Sequence, residues 1–405
     1  MSYSLETLMT SCGCGRWPKR WEEVFDAAMV EYDRNGCRLA DPGFYRGLDE
    51  RYGCFPHFLE VFCRAAEQAA ADETLGRLLT LLDLVMRDRE HIEADCAEFS
   101  LPKPPEGRPE LGYLMAGGLA LASALPYTAE MLKKRGWPEK NIRGTLSMID
   151  GGVREYRKRN GGRDGYHLFD WFQLAIDGKL VRIGRFETEF GVFERKVRVY
   201  RDGTGKELVL ADGARLHSSG FGLGNPGCSD EEGAWTASLT ETESFIEGHT
   251  VDLSDGRVSR ETVRLDKSIW RQTLAQGDPE IALHIPAGGD FSPETVDASL
   301  HEIKEFAARY QPEHRGAVFL CESWMLDPKL RELLGDGSNI VRFGGRFGKL
   351  PSVGNGKGVF YFVFLLPKPP EDIASLPEDT RLMRKLKELY SEGGCIRETA
   401  GYFFL

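Results

Sequence analysis

The sequence lacks the features that mark secreted, membrane-spanning and nucleic-acid-binding proteins. Its first Lys or Arg is Arg16, so no basic patch followed by an apolar run opens the chain, as a secretory signal would require. The longest stretch of apolar and small residues, 114–125, is too short to span a bilayer. The formal net charge of -11 opposes binding to phosphate backbones and anionic lipids. We therefore expect a cytoplasmic protein without nucleic-acid or membrane partners.

Cysteine indicates neither a disulfide framework nor a metal site. The nine cysteines are odd in number and show no repeated pair spacing, which is typical of reduced thiols. The only close pair, Cys12 and Cys14, is separated by one residue, with no His or second pair nearby. That spacing does not match the usual zinc sites, so no metal is expected.

One basic run stands out against the acidic balance. It contains Arg154, Arg157, Lys158, Arg159 and Arg163. Such a run could hold a phosphate-bearing ligand. A solvated helix end is the more common explanation, because charge runs usually serve solubility.

The chain of 405 residues is too long for one typical domain, which predicts two compact units. Residues 1–163 carry apolar residues at spacings of three and four, for example Trp21, Phe25 and Ala28, and this spacing predicts an all-helical domain. A third helix is expected through Leu75 and Val85. The Pro-rich stretch 101–109 interrupts the helical pattern.

From residue 164 the period changes from helical to two. We expect strands at 171–176 and 180–190 around an Asp177-Gly178 turn, and a second hairpin of 197–200 with 207–210. A strand at 281–286, a helix at 292–310 and a strand at 317–324 form a strand-helix-strand unit with parallel strands. Ser292 suits the N-cap of this helix, with Pro293 at its first position.

The remainder of the chain predicts a short helix at 328–334, strands at 340–347 and 359–366, and a helix at 382–390. Residues 164–405 thus read as a second domain, with a mixed sheet around the parallel unit. The fold class expected for the whole chain is α+β.

Ligands of parallel sheets tend to lie outside the carboxyl ends of the strands. His284 ends the first parallel strand, and Glu322 lies at the end of the second. A His with an unperturbed pKa of about 6.5 suits the removal of a proton from an amine acceptor, so His284 is the first candidate for a general base. Glu322 could serve instead or orient the His. The alternatives are a His hydrogen-bonded to backbone and a carboxylate paired with an Arg.

The residues around Glu322 are candidates for lining a substrate. They are Cys321, Ser323 and Trp324. A thiol with an ordinary pKa of about 8.5 is mostly protonated at neutral pH, and the adjacent Glu322 disfavours its ionisation further. We therefore interpret Cys321 as a small buried thiol and not as a nucleophile.

Two glycine-rich segments could cradle phosphates. Gly222, Gly224 and Gly227 match the letters G-x-G-x-x-G, but no helical pattern follows, so we interpret the match as accidental. Gly288 and Gly289 lie between the first parallel strand and the helix that Ser292 begins, where backbone N–H groups and the helix dipole favour an anion. A plain surface turn is the alternative.

Several motifs together resemble the bacterial N-acyltransferase-like family. They are Gly277-Asp278-Pro279, Leu283-His284-Ile285-Pro286, Cys321-Glu322-Ser323-Trp324-Met325-Leu326-Asp327-Pro328 and Ser338-Asn339-Ile340-Val341-Arg342-Phe343, with further likeness at 184–186 and 248–270. The resemblance implies a helical N-terminal domain and a GNAT-like C-terminal domain. It also implies an acyl-CoA donor whose pantetheine lies between two splayed parallel strands, and an acceptor amine near His284.

The sequence departs from GNAT enzymes at one point. It lacks their pyrophosphate signature, and the corresponding loop, Ala287-Gly288-Gly289-Asp290, carries a negative charge. Two hypotheses follow. The protein transfers an acyl group from acyl-CoA or a carrier thioester to an amine of a small acceptor, or it is a catalytically silent GNAT-like module that binds a metabolite or a partner protein.

Overall fold

The structure, a computed structural model, describes residues 4–405 and divides into two compact units after Arg182. The first unit is helical and the second contains a mixed sheet, which confirms the predicted α+β class. The predicted domain boundary after residue 163 lies N-terminal to this division and stays a prediction.

The first unit is built from helices and one short 3₁₀ turn at Arg38–Ala40. Its helices are α1 (Leu5–Ser11), α2 (Trp21–Asn35), α3 (Pro42–Tyr52), α4 (Leu59–Ala70), α5 (Glu73–Arg87), α6 (Ile92–Glu98), α7 (Glu110–Leu114), α8 (Ala116–Ala122), α9 (Leu125–Lys134), α10 (Glu139–Leu146), α11 (Met148–Arg159) and α12 (Phe169–Ile176). The Pro-rich stretch 101–109 separates α6 from α7, as predicted.

Helix α5 is the centre of this unit. It buries residues on several sides, including Leu78, Leu79 and Leu81, because its apolar residues extend beyond a single stripe of the helix. The Asp72 carboxylate begins the helix by accepting the backbone N–H groups of Thr74 and Leu75, at 3.0 and 3.2 Å. Such an N-cap contributes about 1 kcal/mol to the free energy of unfolding.

The predicted strand at 171–176 is wrong, because these residues belong to α12. Phe169, Phe172 and Ile176 are buried at helical spacing, so the apolar run covers one helical face instead of alternating between two. Asp177 and Gly178 end this helix and are not a hairpin turn. The hairpin turn lies further on, at 184–185.

From residue 180 onward the chain forms fourteen strands. They are β1 (Leu180–Ile183), β2 (Phe186–Val192), β3 (Val197–Arg201), β4 (Glu207–Ala211), β5 (Arg215–Leu216), β6 (Trp235–Thr236), β7 (Leu239–Glu241), β8 (Phe245–Asp252), β9 (Arg257–Asp266), β10 (Arg271–Leu274), β11 (Pro279–His284), β12 (Val318–Ser323), β13 (Gly348–Leu350) and β14 (Thr399–Phe403). The hairpin of β3 and β4 confirms the second predicted hairpin.

Two larger sheets result. The first has the order β1-β2-β11-β12-β14-β13, and the second has the order β10-β3-β4-β8-β7 with β9 paired to β8. Strands β11 and β12 are parallel, while β2 and β14 flank them in antiparallel fashion. The parallel connection runs through α13 (Pro293–Tyr310), with Ser292 as N-cap, as predicted.

The core of the second unit lies between the two sheets. Val197, Val199 and Val209 of the second sheet pack with Val318 and Leu320 of the first. Helix α13 covers the other face of the first sheet. There the rings of Phe306 and Phe190 stack with their centroids 5.8 Å apart. The central strands β11 and β12 are therefore held by packing on both faces.

Further helices follow β12. They are α14 (Lys329–Leu334), α15 (Asn339–Gly344), α16 (Lys357–Phe362) and α17 (Arg381–Ser391), with 3₁₀ turns at Trp324–Leu326 and Ile373–Ser375; another 3₁₀ turn, Pro312–His314, precedes β12. The predicted helices at 328–334 and 382–390 are confirmed. The predicted strands at 340–347 and 359–366 are wrong, because these segments are mainly α15 and α16.

A separate hydrophobic cluster explains that difference. Val341 of α15 and Val359 and Phe360 of α16 are buried there together with Trp324 and Leu386. The cluster gathers short helices around one centre, and such helices can bury brief apolar runs whose period a single sequence cannot distinguish from that of a strand.

Candidate active site

The two parallel strands part at their carboxyl ends. Their register runs from Glu280–Val318 to Ala282–Leu320 and ends there. Strand β11 nevertheless stays paired with β2 as far as His284, and β12 stays paired with β14 as far as Ser323. A crevice therefore opens between the last two residues of β11 and the end of β12, where ligands of parallel sheets tend to bind.

His284 lies at this open end of β11. Its side chain is one-third exposed, and Nε2 is 3.3 Å from Oε2 of Glu189 on the neighbouring strand β2. A carboxylate only accepts hydrogen bonds, so this contact favours a hydrogen on Nε2 and makes Nδ1 the basic nitrogen of the neutral ring. Glu189 thus orients the ring that the sequence singled out.

His284 belongs to a polar face that spans β2 and β11. Residues two apart in a strand share a face, which places Glu187 and Glu189 beside Glu280 and His284. The sequence analysis missed the three glutamates. The signal that could have found two of them is the alternation in β2, where buried Phe186 and Thr188 alternate with Glu187 and Glu189.

Glu322 ends β12 and is paired with an arginine. Its Oε2 lies 2.8 Å from a guanidinium nitrogen of Arg195, which comes from the loop between β2 and β3. Both side chains are about one-third exposed. The structural alternative for Glu322, a carboxylate held by Arg, is therefore realised, and Arg195 supplies a positive charge next to the crevice.

Glu280 has the most perturbed carboxyl group of this face. Burial raises its pKa to about 7; Arg195 opposes the shift, while Glu189, Glu194 and Glu322 add to it. Its Oε2 is buried without a hydrogen-bond partner among the described residues. A carboxyl group of this kind exchanges its proton near neutral pH.

The predicted substrate-lining residues at the end of β12 and in the turn after it differ in burial and contacts. Cys321 is buried, and burial raises the pKa of its thiol to about 12, which agrees with an inert core cysteine. The Ser323 hydroxyl accepts the backbone N–H of Met325 at 3.1 Å and begins a 3₁₀ turn. Trp324 is 7% exposed and packs in the hydrophobic cluster of α15 and α16. A role of these three in binding stays a prediction.

The start of α13 already holds an anion of its own. Gly288 and Gly289 take left-handed φ values of 76° and 73° and lead the chain into the helix. The Asp290 carboxylate then accepts the backbone N–H of Ser292 at 3.0 Å and its hydroxyl at 2.6 Å, and it also accepts the hydroxyl of Thr295. These hydrogen bonds lower the pKa of Asp290 to about 2, so the group is charged at neutral pH.

The other glycine motif is structural. A Cβ at Gly222 would lie 2.0 Å from the carbonyl oxygen of Ser352, so no larger residue fits without a backbone shift. Asn225 donates a hydrogen bond from its side chain to the same carbonyl. The loop of Gly222, Gly224 and Gly227 is thereby fixed next to β13, and no helix follows it. The next element is strand β6 and not the helix of a dinucleotide-binding unit, which agrees with the interpretation of the motif as accidental.

The basic run of α11 is neutralised within its own unit. Each of its five side chains has a carboxylate within 4.0 Å; the partners are Asp150, Glu155, Asp164 and Glu110. The arrangement favours the solvated helix end over a phosphate site.

Cys12 and Cys14 are both buried, and burial raises the pKa of both thiols, that of Cys14 to about 12. Over residues 4–405, no three His, Cys, Asp or Glu side chains converge as a metal site would require. Within the same range, no helix combines the length and the apolar character needed to cross a membrane.

A parallel strand-helix-strand unit with parting strand ends, set in a mixed sheet, defines the class of GNAT-like domains. The family model for the GNAT-like C-terminal domain matches residues 180–403, which is more than half of the sequence. The chain belongs to this family. No curated protein shows significant sequence similarity to it.

Solved structures resemble the chain over its whole length. An acyltransferase in complex with decanoyl-CoA and teicoplanin is 21% identical with a TM-score of 0.58, and the match covers 100% of both chains. An acyltransferase mutant in complex with octanoyl-CoA is also 21% identical, with a TM-score of 0.57 and 99% of each chain covered. At this identity the likeness establishes the fold, including the helical N-terminal region.

Proposed function

We propose that this protein is an acyltransferase that moves an acyl group from acyl-CoA, or from a carrier thioester, to an amine of a small acceptor. The observation that carries the proposal is the crevice between β11 and β12, whose open end is bordered by the polar side chains of His284 and Glu322. The resemblance to acyltransferases that bind CoA thioesters supports the donor.

The acceptor amine approaches the polar face of β2 and β11 in this proposal. Amines are protonated at neutral pH, so the carboxylates of Glu187 and Glu189 favour the approach of the cation. His284 then removes a proton from the amine, and the nitrogen lone pair attacks the thioester carbonyl. The C–S bond breaks and the thiolate leaves with the electron pair. The nitrogen loses its second proton as the amide forms, and the thiolate takes up that proton.

Glu189 and Arg195 act as positioning residues. Glu189 fixes the orientation of the His284 ring through the 3.3 Å contact with Nε2, and it also stabilises the imidazolium that forms when the ring takes a proton. Arg195 holds Glu322 at 2.8 Å and so offsets its charge next to the crevice. One of the similar solved structures is a complex with both decanoyl-CoA and teicoplanin, which supports a small-molecule acceptor in the present proposal.

A second candidate function rests on the start of α13. Asp290 occupies the N–H and hydroxyl donors that a diphosphate would use there. This observation favours a catalytically silent module that binds a metabolite or a partner protein, because a donor would have to bind without the usual helix contacts.

Calorimetry separates the two candidates. We expect CoA, acetyl-CoA and decanoyl-CoA to bind the full chain with dissociation constants below the millimolar range. A binding free energy weaker than about 4 kcal/mol, which corresponds to a dissociation constant above the millimolar range, would favour the silent module. Release of free thiol from decanoyl-CoA, measured with a panel of amine acceptors, then tests for transfer. A donor that binds without thiol release in the presence of any acceptor would also count against the enzyme.

A further inference from the structure

A tight turn after β5 holds His217, Ser218 and Ser219, none of which belongs to the crevice described above. The turn runs from His217 to Gly220, and the backbone N–H of Gly220 donates to the carbonyl of His217 at 2.9 Å. Gly220 has a φ of 87°, and a Cβ there would lie 2.5 Å from the carbonyl oxygen of Val258. A larger residue would therefore require a backbone shift at this position, which suits glycine.

The two ring nitrogens of His217 contact Ser219, which lies in the same turn, and Asp230, which lies further along the chain. Nδ1 lies 2.7 Å from Oγ of Ser219, and Nε2 lies 3.0 Å from Oδ2 of Asp230. The order carboxylate, imidazole and hydroxyl is the arrangement by which a hydroxyl is activated as a nucleophile.

The backbone decides which nitrogen carries the hydrogen. The N–H of Ser219 donates to Nδ1 at 3.2 Å, so Nδ1 must hold a lone pair. The hydrogen of the neutral ring therefore lies on Nε2 and is donated to Asp230. In this tautomer Nδ1 accepts a hydrogen bond from Ser219 and can take its proton.

Ser219 and Ser218 differ in the ring nitrogen of His217 that each hydroxyl meets. Ser219 is exposed, while the side chain of His217 is only 11% exposed and is therefore held in place. The hydroxyl of Ser218 lies 3.4 Å from Nε2, the nitrogen that already carries a hydrogen, so it is not activated. Asp230 is 66% exposed, and its charge is screened by water. Most of the activation must come from His217.

We infer that Ser219 is a nucleophile that accepts an acyl group from an activated ester or thioester. Its Oγ forms a bond to the acyl carbonyl carbon while Nδ1 of His217 takes the hydroxyl proton. The C–O or C–S bond of the donor breaks, the leaving group departs with the electron pair, and His217 returns the proton to it. The products are an acyl-serine ester and a free alcohol or thiol. The step does not depend on acyl transfer at the β11–β12 crevice.

The test uses the full chain and p-nitrophenyl acetate as the probe. We expect release of one equivalent of p-nitrophenol, a protein mass increased by one acetyl group, and an acetylated peptide that contains Ser219. Ser219→Ala should abolish the adduct, and the matched change Ser218→Ala should leave it unchanged. His217→Gln should slow labelling by about tenfold to a hundredfold, which is the loss of a general base at an exposed site, and Asp230→Asn by only a few-fold.

Two results would overturn the inference. One is an acetyl group on Ser218 or on lysines without an adduct at Ser219. The other is an unchanged labelling rate in His217→Gln with an unchanged melting temperature. Should His217→Gln unfold, the comparison of Ser219→Ala with Ser218→Ala decides alone, because both side chains are exposed and their removal leaves the core intact. Thiol release at the crevice is measured separately in Ser219→Ala, so failure of one proposal does not imply failure of the other.

Discussion

Replacing Glu280 with Gln should stabilise the protein at alkaline pH. Burial raises the folded-state pKa of Glu280 from 4.5 to about 7, so the carboxyl group contributes fully to stability below pH 4.5, and this contribution is lost as pH rises through 7. Each pH unit by which the pKa is raised corresponds to about 1.4 kcal/mol of unfolding free energy when screening by solvent is neglected. Because the side chain is partly exposed, we expect about 1–2 kcal/mol in total.

Urea unfolding of both proteins at pH 5 and pH 8 measures this difference. Glu280→Gln should be close to wild type at pH 5 and more stable by about 1–2 kcal/mol at pH 8, because glutamine carries no charge that must be buried. The exposed Glu232→Gln should show no such pH dependence. A wild type that is equally stable or more stable than Glu280→Gln at pH 8 would refute the reasoning, since Glu280 would then be adequately paired by Arg195.

Three further predictions concern the crevice and its surroundings. His284→Ala should lower turnover about a hundredfold with little change in melting temperature, while the exposed His301→Ala should leave turnover unchanged; equal loss of stability and activity would mark a structural His. Asp290→Asn should tighten acyl-CoA binding by about two- to fivefold in low salt, because it removes a negative charge near the donor diphosphate. An unchanged dissociation constant would mean that the diphosphate does not bind at this helix start. Gly222→Ala should cost about 1–3 kcal/mol of unfolding free energy by crowding Ser352, unlike Gly203→Ala, where nothing lies near.

The parallel unit could be predicted from the sequence because several local signals agree there. Ser292 and Pro293 define the helix start by capping chemistry, and the apolar strands on either side have lengths typical of buried strands. The segment of α12 had no such signal. Its run of Phe169, Trp171 and Phe172 suits a strand by residue type, and only packing within the unit decides for a helix.

The strand ends of the candidate site could also be predicted, but the charged side chains that contact His284 and Glu322 could not. The positions of His284 and Glu322 follow from the order of the elements alone. Glu189 and Arg195 come near them only through the antiparallel register of β2 with β11 and the loop that follows β2. Register over such a distance in the chain depends on tertiary pairing, which a single sequence does not reveal.

Because the Asp290 carboxylate already accepts the backbone N–H and the hydroxyl of Ser292 at the start of α13, any anion that reaches this helix start takes part in an exchange and not in a simple addition. The incoming group gains only the difference between its own hydrogen bonds and those of a carboxylate that is tethered two residues away and therefore present at high effective concentration. The N-cap itself is Ser292, whose side chain accepts the backbone N–H of Thr295. Displacement of the Asp290 carboxylate therefore does not remove the cap of the helix that connects the two strands of the crevice.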